Sequence, residues 1–378
     1  MNIEIKPSLI LGNGENHAVT NYKKLGYLDS LRGFASIIVV ISHLTLLYFP
    51  YLHNVKNIPI PSENYIQSWF YNNPLGFLYS GSAAVYIFFI MSGIVLSISM
   101  SNRNLFKLIS SRYIRLAIPA CSACVLAYFC MILMNGIGYG EIDNIYNNSF
   151  EIENASLLNS IYYGAIRSIF HIKGSMKYNP VLWTMAIEFY GSILLYIAYK
   201  TKRPRIAMFV FSVLFLLVNV NTFIGIFCFF IGMNMTNLVK LEKSNKLSLL
   251  LLIIGLYFAG VHVNSYSYTL FLDILGKHTY TVLNALSGAF VVSSIIINKN
   301  MKSLLSKNAM QVLGKLSFPI YLVHWPIIYV MSNILIENKI HNIPLSISII
   351  LISIIPVSII FLKVDKLAIK IARKIKSI

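Results

Sequence analysis

Ten long apolar stretches constrain this chain more than any other feature. They run over about 32–50, 78–99, 113–135, 181–199, 205–220, 223–239, 247–263, 280–297, 316–335 and 343–362. The hydrocarbon core of a bilayer is about 30 Å thick and calls for roughly 20 apolar residues per helix. It offers no partner to an unpaired backbone group, so such stretches must be helical. The expected class is all-α, a polytopic integral membrane protein of about ten helices. Composition agrees: 57% of residues are hydrophobic and 12% charged, where soluble domains carry about 25% charged residues. The turn "NVNT" at 219–222 separates two stretches that could otherwise read as one. The segment 266–279 reads either as loop or as an early start of the eighth span. No internal repeat is visible. The first 24 residues lack a charged, apolar, small-residue cleavage pattern, so the first span is expected to stay in the membrane.

Lys and Arg set the expected orientation. With the N-tail and every second loop on one side, that side holds 24 of the 31 Lys and Arg residues, and the other holds six. Arg32 lies within the first span. Cytoplasmic loops carry such an excess, so both termini are expected in the cytoplasm. The chain then divides into an N-terminal tail (1–26), a transmembrane domain (27–362) and a basic C-terminal tail (363–378). The net charge of +18 follows from this dispersed excess and not from a basic domain, so no nucleic-acid partner is expected. Cys121, Cys124, Cys130 and Cys228 all lie in apolar stretches, and the CxxC spacing of the first pair has no redox context. They read as packing residues. The longest connection, 136–180, falls outside the cell. Its "EIDNIYNNSFEIEN" suits either sugar contacts or a membrane-interface belt. "SLLNSIYYGAIRSIF" follows as a possible interfacial helix.

Ionisable residues inside spans are rare and point to function by default. In "YLDSLRGFASIIVVISH", Arg32 stands at the cytoplasmic mouth of span one and His43 lies eleven residues on, about 16 Å deeper. Glu188 of span four, which runs inward from outside, falls at a depth similar to that of His43. That permits a His–carboxylate pair and the use of His43 as a base. Arg112 and Arg115 lie three apart at the expected start of span three, on one helix face. They suit either a phosphorylated ligand, which arginine grips as a fork, or ordinary anchoring. Tyr321 and His324 lie in span nine, where Pro326 removes a helix hydrogen bond.

Together these motifs resemble acyltransferase family 3, integral-membrane enzymes that modify bacterial surface polysaccharides. The resemblance is carried by "LDSLRGFASIIVVISH", "FFIMSG" (88–93), "RYIR", "LWTMAIEFYGS" and "SFPIYLVHWP", in that order, over about 27–361. It implies an O-acyltransferase that moves an acetyl group from cytoplasmic acetyl-CoA to a hydroxyl of a polysaccharide or lipid-linked oligosaccharide, without a metal. It further implies a multi-pass protein of the bacterial inner membrane. His43 would be the base and Glu188 its electrostatic aid, with a covalent acyl-histidine relay as a variant. Arg32, Arg112 and Arg115 would hold the donor phosphates, with Tyr321 and His324 along the tunnel. Trp183 and Asp29 would contact substrate. Two departures stand out. "EFYGS" lacks the doubled acid of many members. The esterase-like periplasmic domain of some members is not seen, which favours direct transfer or a separate partner. The contrasting reading is a transporter or flippase, which would often show repeated halves; a non-catalytic scaffold would not need five polar motifs.

Overall fold

The computed structural model describes residues 25–53, 65–100, 104–137, 155–172, 176–262 and 265–377. The N-terminal segment 1–24 and the acid- and Asn-rich stretch 141–154 lie outside them. Every regular element among the described residues is helical. In chain order the helices are α1 (Gly26–Tyr48), α2 (Tyr65–Asn72), α3 (Gly81–Ile98), α4 (Leu105–Ile137) and α5 (Leu157–Tyr162). There follow α6 (Trp183–Ala198), α7 (Pro204–Leu214), α8 (Val220–Met235), α9 (Asn245–Ala259) and α10 (Thr269–Leu275). The last four are α11 (Thr279–Ile297), α12 (Lys299–Leu305), α13 (Asn308–Glu337) and α14 (Ile343–Ser377).

Among the described residues, seven helical stretches are long and apolar enough to cross a membrane, and three apolar helices, Pro204–Leu217, Val220–Met235 and Asn245–Ala259, are shorter. All ten fall on the expected apolar stretches. The ambiguous 266–279 segment resolves into a short helix, α10, cut from α11 at Gly276. That residue takes φ +53, a conformation glycine adopts without steric cost. Two boundaries differ from expectation. α4 begins at Leu105, two turns before 113, because the polar "KLISSR" stretch continues the helix. Arg112 and Arg115 therefore lie inside it. α14 runs unbroken to Ser377, so the basic 363–377 stretch extends that helix.

The segment expected as an interfacial helix packs lengthwise on α4. α5 continues through a π turn at Tyr163–Arg167 and a closing turn at Ser168–Phe170. Tyr113 donates to the Ala165 carbonyl at 3.2 Å, and Phe170 stacks on Tyr113 with ring centroids 5.7 Å apart. Phe170 also meets Phe189 of α6 edge-on at 5.5 Å. Aromatic packing thus holds this segment against α4 and α6.

Candidate active site

The pairing of α1 with α13 builds the centre. A side chain at Gly314 would collide with the Asp29 backbone (2.5 Å from a Cβ), and one at Gly33 with Leu313 (2.7 Å). Missing side chains let the two backbones touch there. The helices run in the same direction, so residues equally far beyond the contact meet again. His43 is ten residues past Gly33, and His324 ten past Gly314. Their rings lie nearly coplanar, 20° apart with centroids 5.0 Å from each other, and meet edge to edge, His43 Nδ1 lying 2.9 Å from His324 Nε2. Trp325 closes edge-on against His43 at 4.9 Å.

Hydrogen-bond logic fixes the tautomers of this pair. His324 Nδ1 lies 3.0 Å from the Ile320 carbonyl, which can only accept, so Nδ1 carries the proton. In neutral His324 the lone pair then sits on Nε2. His43 Nδ1 must donate to it, which leaves the lone pair of His43 on Nε2. A neutral histidine thus orients a second one with its Nε2 lone pair available, an arrangement in which a carboxylate is the usual partner in hydrolytic triads.

Glu188 of α6 engages other partners. Its Oε1 accepts from Ser92 of α3 at 2.6 Å and forms an ion pair with Arg112. The carboxylate expected beside His43 is thus bound to an arginine from the opposite helix end. Depth estimates cannot show azimuth, and the early start of α4 lowers Arg112 to the level of Glu188. Arg115, one turn on, feels the charges of Asp365, Arg112, Arg32 and Asp29. Asp29 and Arg32 form a long pair at 3.8 Å, with the arginine side chain 23% exposed. Three guanidiniums are therefore matched by three carboxylates, which keeps the layer near neutrality inside an apolar bundle.

Tyr321 is fully engaged. Its hydroxyl donates to the Val181 carbonyl at 2.8 Å and lies 2.9 Å from Thr184 Oγ1. It clamps the start of α6, and its ring stands 6.0 Å from that of His324. Trp183, 43% exposed, meets Phe89 edge-on at 6.4 Å.

Several residues of the site escaped the sequence reading. α13 runs through Pro319 and Pro326. Pro326 has no N–H to give the Leu322 carbonyl, and buried Asn179 supplies the missing donor at 2.8 Å. Tyr178 before it adopts φ 66, uncommon for a bulky residue. Its hydroxyl is tied to both the N–H and the carbonyl of Ser156 at 3.2 Å. Ser92 lay unassigned within "FFIMSG". Asp365, 7% exposed, was hidden in the basic tail, where a lone acid among six cations was the available signal. The four cysteines are free thiols.

With this geometry in view, the comparisons decide the family. The profile described as "Acyltransferase domain" matches residues 25–363. The chain belongs to the acyltransferase domain family. It is 26% identical over 258 residues to a protein of Phomopsis amygdali named O-acetyltransferase PaAT-1, across 59% of this chain and 50% of that protein. The chain thus spans about half the length of the curated relative it matches. No solved structure matches it. Its apolar helices fit a multi-pass membrane protein of this family.

Proposed function

We propose that this acyltransferase moves an acetyl group from acetyl-CoA to a hydroxyl of a surface polysaccharide or its lipid-linked precursor. The observation that carries the reading is the bond from His43 Nδ1 to His324 Nε2, which makes His43 Nε2 the basic atom. In the proposed step Nε2 takes the acceptor's hydroxyl proton as that oxygen bonds to the thioester carbonyl carbon. The C–S bond then breaks, and His43 returns the proton to the departing CoA sulfur, so no net proton is left behind. His324 shares the transient positive charge through the same hydrogen bond. The relay variant, with an acetyl group carried on His43, uses the same nitrogen.

Acetyl-CoA would approach along the arginine layer. Arg32 suits phosphate best, because its pair with Asp29 is long and partly exposed. Arg115 lies next to it in charge. Arg112 is bound to Glu188 and acts by holding α4 to α6. With the Lys- and Arg-rich ends inside, the donor is cytoplasmic and the acceptor external, as in a bacterial cytoplasmic membrane. Incubating the full chain in nanodiscs with labelled acetyl-CoA and a surface glycan tests this. Label is expected as an alkali-labile ester on the glycan. Hydrolysis of acetyl-CoA without glycan labelling, across glycans of several compositions, would overturn the acceptor assignment.

A further inference from the structure

At the end of the bundle away from the arginine layer, four helices begin side by side. α3, α6, α8 and α11 point their first turns at one cavity of about 450 Å³. Trp183 and Tyr280 give it aromatic walls, and Ser82, Asn219, Asn221 and Thr281 supply hydroxyls and amides. Among the described residues, no Asp, Glu, Lys or Arg lines it. Such a lining mixes flat apolar faces with neutral donors and acceptors, the combination that small-molecule sites use to fix orientation. A lipid chain gains nothing from amides, and an anionic ligand finds no cation among the described lining residues.

The polar groups are already ordered. Tyr280 donates to Ser82 Oγ at 3.1 Å, so the Ser82 hydroxyl hydrogen points elsewhere. Thr281 donates to Asn221 Oδ1 at 3.0 Å, which aims the Asn221 amino group as a donor. Trp183 precedes Thr184, whose hydroxyl meets Tyr321, and Tyr321 neighbours His324. The cavity wall at Trp183 is therefore the chain neighbour of Thr184, which joins it through Tyr321 to the ring beside His324.

We infer that this cavity binds an uncharged sugar unit of the acceptor, with Trp183 under its ring and Asn221 and Ser82 on its hydroxyls, and thereby selects neutral over acidic glycans. The inference rests on the acceptor class proposed above, but its test separates the two. Binding of a neutral oligosaccharide and of its uronic-acid counterpart to the full chain in nanodiscs is measured by calorimetry, with acetyl transfer measured in parallel. The neutral glycan is expected to bind more tightly. Trp183→Ala should weaken it roughly tenfold, the scale of a lost aromatic contact, and Trp183→Phe should restore most of that. Asn221→Lys should reverse the preference. Equal or tighter binding of the acidic glycan to the natural chain, no binding of the neutral one, or neutral binding indifferent to Trp183→Ala and Asn221→Lys would each overturn the inference. Binding with the expected pattern but no acetyl ester would defeat the proposed reaction and leave the cavity standing. Ester formation with an acceptor KM unmoved by both variants would do the reverse.

Discussion

Two pairs of histidines sit in this bundle, and they are held in opposite ways. His43 and His324 bond ring to ring within long helices. His53 and His262 lie beyond the C-terminal ends of α1 and α9, where hydroxyls and aromatic rings hold them. Thr45 gives its hydroxyl hydrogen to the Ser42 carbonyl, so at its 2.7 Å contact with His53 Nε2 the ring nitrogen donates. His262 Nε2 meets the Tyr79 hydroxyl at 2.8 Å, and its ring stacks on Tyr71 at 5.0 Å. Burial lowers the pKa of His53 to about 4 and that of His262 to about 3. In the proposed mechanism the same side chain is a base in one pair, and it is a neutral strut in the other. What differs is the tautomer each partner imposes: Nε2 carries the lone pair in His43 and the proton in His53.

The sharpest way to break that contrast is to remove each ring in turn. His43→Ala should lower acetyl transfer by about 10²–10⁴-fold, the usual worth of a general base, with the protein still inserted. His43→Gln should be nearly as poor, since an amide cannot take the proton. His324→Ala should cost less, on the order of tenfold, because the base survives and loses only its orientation. Initial rates against labelled acetyl-CoA check all three. His53→Gln with unchanged stability and lost transfer would erase the distinction between the pairs.

Asn179→Ala should destabilise the fold by about 1–3 kcal/mol, since the Leu322 carbonyl is left buried without its donor. Thermal unfolding in detergent measures this, and a neutral result would detach Asn179 from the support of His324. The pH dependence is smaller and runs in a stated direction. His53 and His262 stay neutral when folded, but when unfolded they protonate near the ordinary histidine value of about 6.5. The unfolded state therefore binds more protons as pH falls from about 6.5 toward 4, and the folded state loses stability across that window. His262→Phe should flatten the slope. An unchanged slope would mean that these histidines are not held neutral.

Much of the bundle was legible because a bilayer allows so few solutions. Apolar length gave the helices, and the "RGF…SH" and "YLVH" motifs marked the two residues that meet. Their meeting was not legible. It depends on Gly33 and Gly314 bringing α1 and α13 into parallel contact, a fact about pairs of helices that one chain's periodicity does not contain. The same holds for Glu188. Its depth was readable, but its direction around α6 was not, and it turns to Arg112. Asn179 was hidden for a third reason: its role is to answer a proline 147 positions away.

The central claim is the tautomer of His43, and nitrogen NMR of the ¹⁵N-histidine-labelled chain reads it directly. The eight histidines are assigned by single His→Gln variants, and the spectra are recorded at neutral pH. His43 is expected to show a protonated Nδ1 and a lone-pair Nε2, coupled across the hydrogen bond to a lone-pair Nε2 of His324, with His53 showing the reverse tautomer. A protonated Nε2 on His43 at neutral pH would contradict the account, because the nitrogen assigned to the acceptor's proton would already hold one.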